Sequence, residues 1–347
     1  MAKNKILVLG PSWVGDMVLA QSLFKTLKTQ QPDALIDVAA PSWTLPLLER
    51  MPEINAAISL PFKHGQLALL ERIRLGRTLR KQGYTQAILL TNSFKSAILP
   101  FAAGIPRRTG FMGELRYGLL NDIRPLDKKI LPRTLDRFVA LSLETKATLP
   151  QEIPAPRLVA RTDNAVRALQ KLDHKPPQTP VLGLCPGAEY GEAKRWPAEY
   201  YAEVARSALD KGWEVWLFGS DKDVTVTAQI NQLTQGRCLD LGGKTRLGDA
   251  IDLMSLTTAV VSNDSGLMHV AAALDKKVVA IFGSSDPYHT PPMSTQATIL
   301  YLSLECSPCF KRECPLKDAN AHMNCLKHIQ PAEVNQALMA HTGHEET

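Results

Sequence analysis

The stretch Ala259-Val-Val-Ser-Asn-Asp-Ser-Gly-Leu-Met-His-Val-Ala-Ala-Ala-Leu274 decides how this chain folds. The apolar residues Ala259 to Val261 precede a polar turn and then a run of small residues, which predicts a strand, a tight turn and a helix. Asp264 or Ser265 can cap that helix, and its free backbone N–H groups can bind an anion such as a diphosphate. The stretch alone leaves both interpretations open, a simple cap and an anion site.

The length and composition indicate a globular protein of two domains. The chain has 347 residues, of which 45% are hydrophobic and 21% charged, so each half can bury its own core. No apolar run approaches the roughly 20 residues that span a bilayer. The apolar run from Lys5 to Gly10 is too short for the core of a signal peptide and predicts a first strand instead. We therefore expect a cytoplasmic protein.

The charge is distributed unevenly along the chain. Residues 1–160 hold 22 Lys and Arg against 12 Asp and Glu, a net charge of +10, whereas the remainder holds 18 against 22, a net charge of −4. A basic half can bind nucleic acid, an anionic membrane surface or an acidic substrate, and part of the excess is a solvated surface. The basic residues are not interleaved with aromatic residues, which disfavours nucleic acid.

Apolar runs alternate with amphipathic segments through most of the chain, which predicts an α/β fold with doubly wound parallel sheets. Residues 105–137 are less regular and rich in arginine. Two proline-rich stretches, 145–156 and 173–180, interrupt the pattern before it starts again. We therefore predict two successive Rossmann-like domains, 1–160 and 161–330, with a cleft between them and a final segment, 331–347.

The turn after the first predicted strand reads Gly10-Pro-Ser-Trp-Val-Gly-Asp16. Its glycines lack the spacing of a dinucleotide-binding turn or a P-loop, which disfavours a dehydrogenase. Asp16 lies at the carboxyl end of a strand, where open α/β sheets bind ligands. It can serve as a general base, or it can be an acidic residue that the helix dipole favours.

The matching loop of the second half runs from Cys185 to Pro197 and carries Lys194 and Arg195, which could balance the charge of a leaving diphosphate. The pair Asp221 and Asp223 could bind a divalent metal, but a cap by Ser220 or Asp221 explains it better. His269 could contact a ligand or be a buried core histidine.

Four cysteines form the pattern Cys306-x2-Cys309-x4-Cys314-x10-Cys325. In a cytoplasmic chain a disulfide framework is not expected, so free thiols and a structural zinc site remain as alternatives. The pattern is a partial zinc signature, because only one Cys-x-x-Cys is present.

Several motifs together resemble a known family: Gly10-Pro-Ser-Trp-Val-Gly-Asp-Met-Val18, Asn92-Ser-Phe-Lys-Ser96, Cys185-Pro-Gly-Ala-Glu with Ala-Lys-Arg-Trp-Pro197, Ser262-Asn-Asp-Ser-Gly-Leu-Met-His269 and Cys306-Ser-Pro-Cys-Phe-Lys-Arg-Glu-Cys-Pro315. They resemble the ADP-heptose:lipopolysaccharide heptosyltransferases of glycosyltransferase family 9, and the first two are similar to the type II branch. The resemblance covers nearly the whole chain.

The resemblance implies the GT-B architecture, two facing Rossmann-like domains, at the cytoplasmic face of a bacterial inner membrane. It also implies transfer of heptose from ADP-heptose to the first heptose of a heptosyl-Kdo2-lipid A type acceptor. The family's catalytic residues fall on Asp16, as general base, and on Lys194. Its donor site falls on Gly187, Lys194, Trp196, Asp221, Thr245, Asp264, Ser265, Gly266 and His269.

The basic first domain is then expected to bind the acceptor, near Gly15, Asn92 and Lys95, with Arg107, Arg108 and Arg116 as cationic candidates. The resemblance also places the final helix, in residues 331–347, against the first domain. No cofactor is required, because fixed cations and a helix end can carry the charge of the diphosphate. The alternatives are another nucleotide-sugar transferase or an epimerase on this fold, and a non-catalytic protein that binds nucleotide or anionic lipid.

Overall fold

The computed structural model describes residues 4–62 and 65–340. They form two compact units, and the chain passes from one to the other between Pro156 and Arg157. The predicted boundary after residue 160 lies a short way into the second unit. Each unit is a parallel sheet with helices, so the predicted α/β class is confirmed.

The first unit contains, among its described residues, strands β1 (Lys5–Leu9), β2 (Leu35–Pro41), β3 (Ala56–Leu60), β4 (Gln86–Leu89), β5 (Arg107–Phe111) and β6 (Asp122–Arg124). Its helices are α1 (Val14–Gln30), α2 (Leu45–Leu48), α3 (Leu69–Leu79), α4 (Phe94–Ala102) and α5 (Thr134–Ser142), with 3-10 turns at Ser42–Thr44 and Arg80–Gln82. The strands pair in parallel in the order β3-β2-β1-β4-β5-β6.

The central position of β1 explains its apolar sequence. A strand with neighbours on both sides and helices above and below is buried on both faces and reads as a continuous apolar run. Residues Ile6 to Leu9 are accordingly at most 3% exposed. On one face α3 packs closely against α4. The contact leaves no room for a side chain at Gly76, since a Cβ there would lie 2.6 Å from the carbonyl oxygen of Leu99.

The irregular stretch 105–137 contains structure that the sequence pattern did not predict. β5 and β6 both lie in it, and α5 begins at its end. β5 carries Arg107 and Arg108 and β6 carries Asp122, so neither strand has an apolar run. Ion pairing between Arg107 and Asp122, at 3.2 Å, accounts for charged residues in neighbouring strands.

The second unit contains, among its described residues, strands β7 (Val181–Cys185), β8 (Glu214–Leu217), β9 (Leu239–Asp240), β10 (Ala259–Asn263), β11 (Lys277–Ile281) and β12 (Ala297–Leu300). Its helices are α6 (Thr162–Lys171), α7 (Ala198–Asp210), α8 (Val224–Leu233), α9 (Leu247–Met254), α10 (Gly266–Ala273), α11 (Asn324–Lys327) and α12 (Pro331–Ala340), with 3-10 turns at Glu192–Lys194 and Asp221–Asp223. The strand order is β12-β11-β10-β7-β8-β9.

The described part of the final segment belongs to the core of the second unit. α12 packs on α7 and β11, and Val334 is fully buried there. We predicted from the resemblance that residues 331–347 pack on the first domain. Val334 fills the core of the second unit, and packing of this segment on the first domain stays a prediction. Residues 341–347 lie outside the described residues.

Both sheets have the strand order of a doubly wound fold, in which the first strand of the sheet pairs with its second and fourth. The connections on the two sides of the first strand run in opposite directions. A crevice therefore opens at the carboxyl ends of β1 and β4, and another at the carboxyl ends of β7 and β10. Open α/β sheets bind ligands in such crevices.

Candidate active site

The crevice of the second unit is formed by the loops that follow β7 and β10. The two strands pair in parallel, with Cys185 opposite Ser262, so the loops leave the sheet side by side. β10 ends at Asn263 and α10 begins at Gly266. The predicted strand, tight turn and helix are therefore confirmed.

Asn263 joins the two loops. Its buried side-chain amide donates from Nδ2 to the carbonyl oxygen of Pro186, at 2.6 Å. Its Oδ1 accepts from the backbone N–H of Trp196, at 3.1 Å, and from the hydroxyl of Tyr201, at 2.9 Å. One side chain thus ties both ends of the loop 186–196 to the end of β10.

Lys194 and Asp264 form an ion pair across the crevice. The Lys194 Nζ atom lies 2.5 Å from Oδ2 of Asp264, and the hydroxyl of Ser285 donates to the same oxygen. The two charged side chains are 18% and 6% exposed. A buried carboxylate is costly unless it is paired and hydrogen-bonded, so Asp264 holds the ammonium group of Lys194 beside the start of α10.

The start of α10 is not capped as the sequence suggested. Ser265 occupies the N-cap position, yet its side chain makes no capping hydrogen bond. Its hydroxyl lies 3.2 Å from that of Ser262, and Asp264 is taken up by Lys194 and Ser285. The prediction that Asp264 or Ser265 caps the helix through its side chain is therefore wrong. The first backbone N–H groups of α10 are left without a side-chain cap, as an anion site requires.

Two buried polar atoms near this turn have no hydrogen-bond partner in the described chain: Nδ1 of His269 and Oγ of Ser284. Burial lowers the pKa of His269 to about 4, and the charge of Lys194 acts in the same direction, so the ring is neutral at pH 7. An unpaired buried polar atom costs about 1–3 kcal/mol. Both atoms can therefore gain a hydrogen bond from a ligand.

The loops after β8 and β9 complete the same sheet edge. The N–H of Gly243 donates to the carbonyl of Gly219, at 3.1 Å, and brings the loop with half-buried Thr245 beside exposed Asp221. Ser220, one of the two predicted caps, occupies the N-cap position of this turn and forms a capping box with Asp223, which accepts from the backbone N–H and the hydroxyl of Ser220.

Gly187 packs closely against the carboxylate of Asp223. A side chain does not fit at this position, because a Cβ there would lie 2.4 Å from the Asp223 carboxyl carbon. The presence of glycine at position 187 is therefore explained by packing within the protein.

Trp196 was predicted as a donor contact, and its position argues against that role. The side chain is 1% exposed, and its indole N–H donates to the carbonyl oxygen of Ile329, at 2.9 Å. Its ring packs edge-on against Tyr200 and Tyr201. Trp196 therefore supports the loop from the core, because a fully buried indole offers no surface to a ligand.

The loop after β7 is also supported by the cysteine-containing segment, which the sequence reading did not connect with it. The N–H of Ala193 donates to the carbonyl of Arg312, at 3.0 Å, and the hydroxyl of Tyr190 donates to the carbonyl of Phe310, at 2.8 Å. The Tyr190 ring lies 5.2 Å from the Lys194 ammonium and 5.3 Å from the Arg312 guanidinium. Arg312 thus adds an exposed cation to this site.

The crevice of the first unit holds Asp16, the predicted general base. Asp16 lies half-buried in the first turn of α1, after buried Gly15. The neighbouring strand β4 leads to exposed Asn92 and to half-buried Lys95 in the first turn of α4. The N–H of Leu90 donates to the carbonyl of Leu9, at 3.1 Å, so these two strand ends are adjacent.

Arg107 and Arg108 do not lie at this crevice. They begin β5, so they lie at the amino edge of the sheet, opposite the strand ends that lead to Asp16. Arg107 pairs with Asp122 and Glu144, and Arg108 donates to the carbonyl oxygens of Leu119 and Ile105. Their prediction as acceptor contacts is wrong, because they serve the packing of β5 and β6.

Arg116 lies at the correct edge but is buried. It is 2% exposed and donates to the carbonyl oxygens of Thr91, at 2.8 Å, and Phe111, and to Oδ1 of Asn92, at 3.2 Å. A buried guanidinium held by three oxygens cannot reach a ligand. Arg116 instead positions the exposed Asn92, which corrects its predicted role.

The model of a family described as glycosyltransferase family 9 (heptosyltransferase) matches residues 72–320. The chain belongs to glycosyltransferase family 9. It is therefore an enzyme, a glycosyltransferase, as the resemblance predicted.

Family 9 relatives match this chain over most of its length. Lipopolysaccharide heptosyltransferase 2 of Escherichia coli K12 is 48% identical over 307 residues, 86% of this chain and 88% of that protein. Lipooligosaccharide heptosyltransferase 2 of Haemophilus ducreyi is 47% identical over 310 residues, with the same coverage. The solved structure of E. coli ADP-heptose lps heptosyltransferase II superposes with a TM-score of 0.86 and 43% identity, covering 99% of this chain and 100% of that one.

The cysteines of this family 9 chain are free thiols, those of Cys306, Cys309, Cys314 and Cys325 included. Among residues 4–62 and 65–340, no three His, Cys, Asp or Glu side chains are grouped so that they could hold a metal ion. A structural zinc needs four ligands at about 2.0–2.3 Å, and a zinc site at these four cysteines stays a prediction. The segment's contacts with the loop after β7 are its evident structural role.

Replacing Asn263 with alanine should loosen the loop after β7. The Trp196 N–H, the Tyr201 hydroxyl and the Pro186 carbonyl would lose their partner, so we expect a loss of about 2–4 kcal/mol in the free energy of unfolding. Denaturant unfolding measures this loss, and hydrogen exchange should accelerate in peptides covering residues 186–196. Gln232→Ala, exposed on α8, serves as control and should cost less than about 0.5 kcal/mol. Equal behaviour of the two variants would contradict the role of Asn263.

Proposed function

We propose that this glycosyltransferase moves L-glycero-D-manno-heptose from ADP-heptose to the first heptose of the lipopolysaccharide inner core, with inversion at the anomeric carbon. The relatives that match most of the chain are named for heptosyl transfer to lipopolysaccharide or lipooligosaccharide. The proposal is carried by the position of the Lys194 ammonium group. It is fixed beside the uncapped start of α10, in the crevice at the carboxyl ends of β7 and β10.

The donor diphosphate is assigned to the second unit. Lys194 and the first N–H groups of α10 can stabilise the negative charge that develops as ADP leaves. The unpartnered atoms of His269 and Ser284 lie near this turn and can bond the donor. Neutral His269 can donate or accept such a bond without adding charge.

Asp264 has a different task from the rest of the predicted donor set. A carboxylate repels a diphosphate, so a direct bond between the two is unfavourable. Its bonds to Lys194 and Ser285 make it the group that positions the ammonium, and its second oxygen can accept from a sugar hydroxyl of the donor. The predicted donor residue Asp264 thus acts through Lys194 and through the sugar.

Asp16 is assigned as the general base. As the acceptor hydroxyl oxygen attacks the anomeric carbon, its proton moves to the Asp16 carboxylate, and the bond between that carbon and the diphosphate oxygen breaks. The transition state is oxocarbenium-like, and proton removal by a positioned base contributes typically 10²–10⁴-fold to the rate. Asn92 and Lys95, at the adjacent strand end, are assigned to the acceptor.

Asp16→Asn should lower kcat by at least about 10²-fold and leave the Kd for ADP-heptose unchanged. The amide keeps the shape of the side chain but cannot take the proton. Product analysis with ADP-heptose and a heptose-deficient core acceptor measures turnover, and calorimetry measures donor binding. Asp33→Asn, an exposed carboxylate after α1, is the matched control.

Full turnover by the Asp16 variant would remove this residue as the base. Wild-type protein that altered ADP-heptose without a heptosylated acceptor would indicate an epimerase. Binding without any reaction would indicate a non-catalytic protein.

Lys194→Ala should lower kcat by about 10²–10³-fold, the range for losing one preorganised charge donor, and Lys194→Arg should recover part of the loss. Because protein groups supply this charge, we expect EDTA to leave the wild-type rate unchanged. Lys211→Ala, an exposed lysine after α7, is the control. An unchanged rate in Lys194→Ala, or complete inhibition by EDTA, would overturn the assignment of diphosphate stabilisation to Lys194.

We also propose that the enzyme works as a peripheral protein at the cytoplasmic face of the inner membrane, since its proposed acceptor is a lipid. Within the described chain no helix is long and apolar enough to cross a membrane. The α3 surface combines exposed apolar and cationic side chains, as membrane-surface helices do. It is defined by Leu67 just before the helix, Leu69, Leu70, Arg74 and Arg77 within it, and Lys81 just after it, and the exposed Glu71 lies among them.

Arg74→Glu with Arg77→Glu should weaken binding to vesicles of phosphatidylcholine and phosphatidylglycerol at least about tenfold, because each cation near an anionic surface contributes about 1 kcal/mol. Cosedimentation at low salt measures the partition. Lys175→Glu with Lys211→Glu makes the same charge change on exposed positions of the second unit and should bind like the wild type. Equal losses in both variants would show that only net charge matters.

A further inference from the structure

Two exposed tryptophans follow neighbouring strands of the first unit, close in sequence to the turn that holds Asp16. The tripeptide Pro-Ser-Trp occurs at residues 11–13 and again at residues 41–43. The copies follow the neighbouring parallel strands β1 and β2, whose register sets Leu9 opposite Ala39. Trp13 and Trp43 are therefore equivalent positions, each four residues beyond one member of this pair.

The side chains of this pair are unlike those of the other tryptophans. Trp13 is 46% exposed and Trp43 is 47% exposed, whereas Trp196 and Trp216 are at most 1% exposed and Trp213 is half-buried. An indole that is exposed to water leaves a large apolar face without packing contacts. Because both indoles are exposed at the carboxyl edge of the sheet, next to the crevice that holds Asp16, their exposure is better explained by a ligand than by a packing defect.

Trp43 is held in place by the first loop. Its indole N–H donates to the carbonyl oxygen of Ser12, at 2.9 Å, so the exposed ring is anchored to the turn that leads into α1. A ring fixed in advance loses little entropy when a ligand covers it.

Trp13 connects the pair to the proposed base. It is the N-cap residue of α1, and the N–H of Met17 donates to its carbonyl oxygen, at 2.9 Å. Asp16 lies in that same first turn. A ligand resting on the tryptophans is therefore within one helical turn of the carboxylate.

We propose that Trp13 and Trp43 form an aromatic platform on which a sugar ring of the acceptor stacks, with its reacting hydroxyl directed to Asp16. This inference rests on the proposed function. Sugar rings present C–H groups on a face, which pack against the electron-rich face of an indole, while their hydroxyls stay at the rim and can bond Asn92 or Lys95. The donor is assigned to the second unit, so the platform selects the acceptor.

The test uses the full-length enzyme with a water-soluble acceptor, the deacylated heptose-terminated core saccharide. Trp13→Ala and Trp43→Ala should each raise the acceptor KM about tenfold, as expected for losing one aromatic contact in a binding site, with the ADP-heptose KM within about twofold of the wild type. Trp43→Phe keeps an aromatic face but loses the bond to Ser12, so its acceptor KM should lie between those of the wild type and Trp43→Ala. Phe101→Ala, an exposed ring at the far end of α4, is the control.

Three outcomes would overturn the platform. The first is an unchanged acceptor KM in both alanine variants. The second is a rise in both the acceptor KM and the ADP-heptose KM together with a lower Tm, which would indicate a structural role. The loss could also occur only with lipid-bearing acceptor in vesicles, which indicates membrane anchoring instead.

Acceptor binding without donor separates this proposal from the catalytic one. The soluble saccharide should shift wild-type tryptophan fluorescence, and Trp13→Phe with Trp43→Phe should lose that shift. A fluorescence shift in an enzyme that forms no heptosylated product would leave the platform standing and remove the proposed transfer reaction. Product formation without a fluorescence shift, and with an unchanged acceptor KM in the tryptophan variants, would support the transfer reaction and remove the platform.

Discussion

The hydrogen bonds of the Asn263 side-chain amide are the interaction on which the loop after β7, the proposed donor site, depends. This amide bonds the Pro186 carbonyl at one end of the loop after β7 and the Trp196 N–H at the other, from the end of β10. Lys194 lies between these anchors, two residues before Trp196. A flexible loop could not hold a cation in one place at low entropic cost, so this buried bonding is what gives Lys194 a defined position.

Charge at the crevice is balanced before any ligand binds. Asp264 is nearly buried and would be costly alone, but Lys194 and Ser285 satisfy it. The same pairing keeps the ammonium beside the helix start. Burial keeps His269 neutral, so this histidine adds no charge to the site near pH 7. On the proposed mechanism, the diphosphate meets a preorganised cation that need not be recruited from solvent.

Much of the fold and of the site followed from sequence patterns, and the failures share one cause. Asp264 directly follows an apolar strand, whereas Asp16 and Lys194 lie further along the loops after such strands and are indicated by the resemblance. β5 gives no such signal, because Arg107 and Arg108 interrupt its apolar pattern, and in the sequence these arginines look like available ligand contacts. Their partners, Asp122, Glu144 and carbonyl oxygens, come from distant parts of the chain, so a charge count could not separate paired from available cations. The predicted donor contact of Trp196 is disfavoured for a similar reason, because the motif around this residue does not reveal that its side chain is buried.

The sequence by itself determined the alternation of strands and helices, the two successive doubly wound units and the polar turns at their strand ends, because these depend on local periodicity and turn chemistry. Only the tertiary structure decided which polar groups meet. It paired Asp264 with Lys194, set Arg116 behind Asn92, and placed Trp13 and Trp43 after neighbouring strands. Hydrogen bonds and ion pairs act over about 3 Å between residues far apart in the chain, and strand order and register alone bring them together.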